Sequence, residues 1–191
     1  MKSRRIPAGS IKIDLPAVQQ RDNYSCGAGA FMSVALHYNV GPTDIEEYKA
    51  AMGTSPENGT YYKRIAEYAN KLGLNARVQI GVSKKRLKKL IDKGIPVILS
   101  MQAYAESQTD YDNPDLDTAG HYIVAVGYDD DDNFYFMDPS ITGSRGFLSW
   151  EELDRRWQEN EGWEEREFYR HLAIVIRPGK KRTGPHAWRI D

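Results

Sequence analysis

The chain has 191 residues, enough for one ordinary domain and short for two. Its 40% hydrophobic content, with four Trp, twelve Tyr and five Phe, can fill a sizeable core, and its charges nearly cancel at a net −1. That balance argues against a nucleic-acid binder and a membrane-surface protein; no stretch approaches the roughly 20 apolar residues that span a bilayer, and no apolar run follows the basic N-terminus as a signal peptide requires.

Residues 1–12 read as an N-terminal arm, 13–178 as the folded domain, and 179–191 as a polar, basic tail. Ala28 to Tyr38 predicts a helix, with Phe31, Val34, Ala35 and Tyr38 on one stripe, broken by Gly41-Pro42. Thr43 and Glu46 form a capping box that opens a second helix through Met52. A third helix spans about Thr60 to Leu72, with Gly73 placed to end it. Leu74, Ala76, Val78 and Ile80 alternate with polar residues as in a half-buried strand. Ser83 caps a short basic helix carrying Leu87, Leu90 and Ile91. Ile95 to Met101 is a continuous apolar run, read as a central strand. Ala103 to Ala119 lacks periodicity, carries Glu106, Asp110, Asp112, Asp115 and Asp117, and reads as a long acidic loop. Strands at Tyr122 to Tyr128 and Phe134 to Met137 flank an acidic turn. Ser149 and Glu152 cap a helix from Trp150 to Gln158, and Phe168 to Ile176 is a last strand. Helices followed by an antiparallel sheet make an α+β domain.

The chain contains one cysteine, so no internal disulfide can form, and a reducing compartment such as the cytoplasm is the default. A lone thiol is either a small buried hydrophobe or a nucleophile. Cys26 stands in Asn23-Tyr24-Ser25-Cys26-Gly27-Ala28-Gly29-Ala30, where a loop enters a helix. The unpaired N–H groups and dipole at that end favour thiolate over thiol. Gly27 leaves room for a substrate backbone to come close.

A cysteine nucleophile needs a base within hydrogen-bond reach, and the base needs an orienting group. Of the four histidines, His37 lies about three turns along the first helix, His186 is in the tail, and His171 sits among apolar residues of the last strand. His121 opens a strand directly after the acidic loop, at the mouth of a rigid element. Asp138 ends the next strand. If Tyr128 pairs with Asn133, Ile123 lies opposite Asp138; with a tighter turn, His121 itself does. Either register puts His121 and Asp138 on one face, since strand side chains alternate, and only an odd-length loop or a bulge would separate them. Asp138 can then accept a hydrogen bond from the imidazole and hold its tautomer. Gln20, or its neighbour Gln19, can offer a side-chain amide to a developing oxyanion beside the Cys26 N–H.

Gln20-x5-Cys26-Gly27, then Gly120-His121-Tyr-Ile-Val-Ala-Val-Gly-Tyr, then Asn133-Phe-Tyr-Phe-Met-Asp138-Pro139 resemble the C39-like peptidase family of papain-like cysteine peptidases. Gly146-Phe-Leu-Ser-Trp-Glu-Glu-Leu is similar to the family's strand-into-helix segment, and the resemblance runs from about Val18 to Ile176. Ser25 stands where many members have Asp. The resemblance implies Cys26 as nucleophile, His121 as base, Asp138 as orienting acid and Gln20 as oxyanion donor. It implies a papain-like fold, with N-terminal helices that carry the cysteine packed on an antiparallel sheet that carries the other two. A double-glycine exporter role is not implied, because no transmembrane or ATP-binding segment follows.

The expected activity is cleavage of a peptide or amide bond through an acyl-enzyme, with a peptide or protein substrate and no metal or organic cofactor. Acyl transfer to an amine or thiol, or a catalytically silent peptide-binding module, are the alternatives. Asp129 to Asp132 is read as a solvated turn rather than a calcium loop. Lys84 to Lys89 is read as a solvated helix face.

Overall fold

A computed structural model of the chain describes residues 3–105, 111, 120–161 and 167–179. Three helices come first: α1 (Cys26–His37), α2 (Ile45–Met52) and α3 (Tyr62–Lys71). They are followed by β1 (Asn75–Gln79), α4 (Lys84–Asp92), β2 (Val97–Gln102), β3 (Gly120–Tyr128), β4 (Asn133–Met137) and β5 (Gly146–Ser149). The chain then forms α5 (Trp150–Arg156), β6 (Gln158–Glu161), β7 (Glu167–Arg170) and β8 (Ala173–Arg177). A six-stranded antiparallel sheet runs in the order β1-β8-β2-β3-β4-β5, and β6 and β7 form a separate two-stranded ribbon.

Both faces of the large sheet are covered. Ile98, Val124, Tyr135, Met137, Ile174 and Ile176 pack with α1, α2 and α3. On the other face Val97, Leu99, Ile123, Phe134, Phe136 and Val175 pack with Leu87, Leu90 and Ile91 of α4 and Leu153 of α5. Burial on both sides explains why β2 reads as an unbroken apolar run rather than an alternation. The basic helix α4 is thus half of the second layer, with only its lysine-rich face left to solvent.

The helix starts follow short polar side chains. Ser83 Oγ accepts from Arg86 N–H and Ser149 Oγ from Glu152 N–H, as the sequence pattern implies. At α2 the cap is Asp44, whose carboxylate accepts from Glu46 N–H, and not Thr43. A carboxylate at that end also meets the positive end of the helix dipole. The last predicted strand is split: His171 takes a left-handed φ of 54° between β7 and β8, which sends the two halves into different sheets.

The β3–β4 hairpin contains both irregularities that could have spoiled its register. Tyr128 pairs with Phe134, which leaves the odd-length connection 129–133. The register then shifts between Ala125 and Gly127, where Val126 is an extra residue, so that Val124 pairs with Met137. One offset cancels the other, and Ile123 again stands opposite Asp138. The N-terminal arm holds the bulge in place. Lys12 and Ile13 N–H both donate to the Val126 carbonyl, and Tyr128 N–H donates to Ser10. Only a glycine fits at 127, because a Cβ there would collide with the Ser10 carbonyl oxygen.

The acidic turn is more than a solvated loop. Asp129 is 7% exposed and accepts hydrogen bonds from the Asp131 and Asn133 N–H groups, the Asn133 amide and the Tyr135 hydroxyl, with Arg4 at 3.3 Å. Asp132 pairs with Lys84 and Lys88 of α4 at 2.6 and 3.0 Å. This end of the hairpin is a brace between the arm, the sheet and α4.

Candidate active site

Cys26 is the first residue of α1 and is 7% exposed. As a first-turn residue its N–H is among those left without an intrahelical acceptor. Ser25, at the cap position, makes no side-chain cap. Asp22 supplies the turn instead: its Oδ1 accepts from Tyr24 and Ser25 N–H at 3.1 and 2.8 Å. Its Oδ2 meets Lys49 Nζ at 3.0 Å, which ties the loop to α2. Asp22 three residues ahead of Ser25 is an Asx pattern that sequence inspection could have caught.

Two glycines let α1 sit tight against its neighbours. A Cβ on Gly27 would lie 2.7 Å from Thr60 Cβ and 3.1 Å from Tyr122 Cδ2. The space beside Gly27 is therefore filled by protein and is not free for a substrate backbone, as the sequence had suggested. A Cβ on Gly29 would lie 3.0 Å from Pro139 Cβ. Gly29 thus brings the start of α1 against the turn that follows Asp138.

Opposite the helix, His121 is the second residue of β3, with its side chain 4% exposed. Its Nε2 lies 2.8 Å from Asp138 Oδ1, and the Cys26 thiol is within hydrogen-bond reach of the same ring. With Nε2 held by the carboxylate, Nδ1 is the nitrogen left for the thiol. Burial alone would lower the His121 pKa, but the hydrogen bonds to Asp138 and Cys26 and their negative charges outweigh it and push it up to about 9. Burial likewise works against the Asp138 charge, yet His121 and Ser140 hold that carboxyl below its ordinary value. Ser140 donates to the same Oδ1 from both its N–H and its hydroxyl, at 2.9 and 2.7 Å. Asp138-Pro139-Ser140 is an Asx turn, a pattern visible in the sequence.

Gln20 is half-buried and Gln19 exposed. The Gln20 backbone N–H donates to the Pro139 carbonyl, and its side-chain Nε2 donates to the Asp22 carbonyl at 2.7 Å. Its Oε1 is buried without a hydrogen-bond partner. Gln20 therefore links the turn at Asp138-Pro139 to the loop that enters α1, with one amide hydrogen still to donate.

Two further residues come close to the start of β3, Tyr104 against His121 and Glu159 against Gly120. The Tyr104 ring packs edge-on against the imidazole at 5.3 Å between centroids, and the Tyr104 hydroxyl reaches Ser140. Glu159 of β6 fills the space beside Gly120, where a Cβ would lie 2.7 Å from its Oε2. Neither carries a sequence signal, since both arrive from distant segments. The other histidines lie elsewhere: His37 ends α1, His171 stacks on Trp157 at 4.7 Å and pairs with Asp154, and His186 is outside the described residues. So are Glu106, Asp110, Asp112, Asp115 and Asp117 of the acidic loop. Among the described residues no group of His, Cys, Asp and Glu side chains is arranged to hold a metal ion, and no helix is long and apolar enough to cross a membrane.

The structure thus gathers Cys26, His121 and Asp138 in one place and ties Gln20 to the turn after Asp138 and to the loop before Cys26. The sequence profile of the Peptidase_C39 like family matches residues 12–164. A Bacillus anthracis protein described as a C39-like peptidase superposes with a TM-score of 0.65 at 16% identity, covering 90% of this chain and 98% of that one. The peptidase domain of Streptococcus ComA, a bi-functional ABC transporter of a quorum-sensing pathway, gives 0.61 at 23% identity, over 86% and 97%. A double glycine motif protease from an AMS/PCAT transporter, in complex with the leader peptide, gives 0.60 at 19% identity, over 90% and 96%. At these identities the superpositions establish the fold. No protein of curated function is matched by sequence.

Proposed function

Because the chain belongs to the Peptidase_C39 like family, we propose that it is a cysteine peptidase or amidohydrolase that works through Cys26, His121 and Asp138. The observation that carries this reading is the His121 Nε2 held at 2.8 Å by the Asp138 carboxylate, with the Cys26 thiol near enough to act on the same ring. A histidine pushed up to about 9 is positively charged at neutral pH, which is the partner a thiolate requires.

In the first half-reaction the Cys26 thiolate adds to the carbonyl carbon of a peptide or amide. The oxyanion takes hydrogen bonds from the Cys26 N–H and the Gln20 amide. His121 then gives its Nδ1 proton to the leaving amine as the C–N bond breaks, and a thioester on Cys26 remains. In the second half-reaction neutral His121 takes a proton from water as the water adds to the thioester. Loss of the thiolate releases the acid and restores the charged pair. Asp138 stays ionised throughout and holds the ring through Nε2, while Ser140 holds Asp138.

The substrate class is a peptide or protein; a neighbour of similar fold was captured with its leader peptide. The unpaired thiol suits a reducing compartment, and we place the protein in the cytoplasm on that ground. A pooled peptide and amide library, incubated with wild type and with Cys26→Ala, tests the reading. Cleavage by wild type and none by the variant, with the fold retained, is expected. Equal cleavage by both would remove Cys26 from the reaction. Addition of an amine acceptor separates hydrolysis from acyl transfer by the product formed.

A further inference from the structure

Tyr104 is poorly explained as a structural residue. It follows β2 with a left-handed φ of 63°, a conformation that is strained for a bulky L-residue and that glycine or asparagine adopts readily. Its side chain does not compensate by burial, for the residue is 63% exposed, the most open of the large hydrophobic residues that stand exposed among those described. Strain held at an exposed aromatic beside a reactive centre is the pattern expected when the position is set by recognition rather than by folding.

Its place relative to His121 says what it would recognise. In the reaction proposed above, the leaving nitrogen must come within hydrogen-bond reach of His121 to receive its proton. The residue joined through that nitrogen, with its side chain on the adjacent α-carbon, therefore passes over whatever borders the imidazole. Of Cys26, Asp138 and Tyr104, the first is 7% exposed and the second has a side chain 15% exposed, whereas Tyr104 offers an open surface. Most of the Tyr104 side chain is ring hydrocarbon, and at 63% exposure much of that ring is open.

We propose that Tyr104 is a specificity-determining residue, whose ring forms the wall on the leaving-group side of the site and selects an apolar side chain on the residue just after the scissile bond. This rests on the peptidase reading. An apolar side chain laid across the ring is removed from water, whereas a glycine there gains nothing.

The test uses the full chain and a pooled peptide library randomised on the leaving-group side of one bond, with cleavage rates read by mass spectrometry. Wild type is expected to prefer Leu, Met and Phe over Gly at that position. Tyr104→Ala should reduce the Leu-to-Gly selectivity ratio about tenfold, mainly through KM, and Tyr104→Phe should keep it. Three outcomes overturn the proposal: no leaving-side preference in wild type, a preference unchanged in Tyr104→Ala, or an equal loss for every residue at that position. The last would mean that the ring only supports His121. A wild type that cleaves no peptide overturns the inference together with the peptidase reading, and so stands apart from these three.

Discussion

Replacing Asp138 by asparagine removes a charge and keeps an acceptor, which makes it the sharpest probe of the His121 environment. The rise of His121 from 6.5 to about 9 corresponds to about 3 kcal/mol favouring the charged ring, net of burial. Asp138 and Cys26 share that sum. A hydrogen bond to a charged group is worth about 1.5–3 kcal/mol against about 1 for a neutral one. The substitution should therefore lower the His121 pKa by about one unit. It should lower kcat/KM by roughly tenfold to a hundredfold, since the imidazolium is less well held while the ring keeps its orientation. Asp138→Ala removes the acceptor as well and should cost at least another tenfold. The assays are a histidine NMR titration and a pH profile of kcat/KM on a peptide that wild type cleaves. The sign of the stability effect follows. Because the folded pKa lies above the ordinary one, the stabilisation from charged His121 is complete below about 6.5 and disappears as pH rises through about 9. Urea midpoints of wild type should fall across that window, and those of Asp138→Asn should fall less. An asparagine variant with an unchanged alkaline limb and unchanged rate would refute the idea that the Asp138 charge holds the ring.

Two further substitutions probe the scaffold. Gly29→Ala adds helix propensity of about 1 kcal/mol but places a methyl 3.0 Å from Pro139 Cβ, so the two effects should nearly cancel in a urea melt. The displaced turn carries Asp138, so kcat should still fall roughly threefold to tenfold; full activity would show that the turn has slack. Asp129→Ala strips the acceptor from Tyr135, Asn133 and the 131 N–H group and should cost about 3–5 kcal/mol in the same melt, whereas a loss below about 1 would show that water replaces it.

Much of the site was legible because it depends on local periodicity. Cys26 at a helix start follows from the glycine-rich entry, and the shared face of His121 and Asp138 follows from strand alternation. That second inference held for a reason the sequence conceals. The odd-length connection and the bulge at Val126 each invert the faces, and their effects cancel. Val126 looks like any apolar strand residue, and only Gly127 hints at the close approach of the arm. The cap at Asp44 rather than Thr43 was a choice between adjacent residues of similar chemistry, decided by which one points back at the helix. Gly27 was read as space for a substrate because nothing in its neighbours in sequence announces Thr60 and Tyr122. Asp22 and Ser140 lie in short Asx turns and could have been recovered by asking which carboxylate caps which turn. Tyr104 and Glu159 could not, since their approach to His121 and Gly120 respectively is purely tertiary.

Since the chain holds a single cysteine, alkylation reports on Cys26 with no separation step. The most direct measurement is the rate of iodoacetamide modification at pH 6, followed by intact mass, in wild type and in His121→Ala. A thiolate paired with imidazolium should react at least about ten times faster than a free thiol such as glutathione at that pH, and the histidine variant should lose the advantage. A wild-type rate no faster than glutathione, or one indifferent to His121, would contradict the assignment of Cys26 as nucleophile.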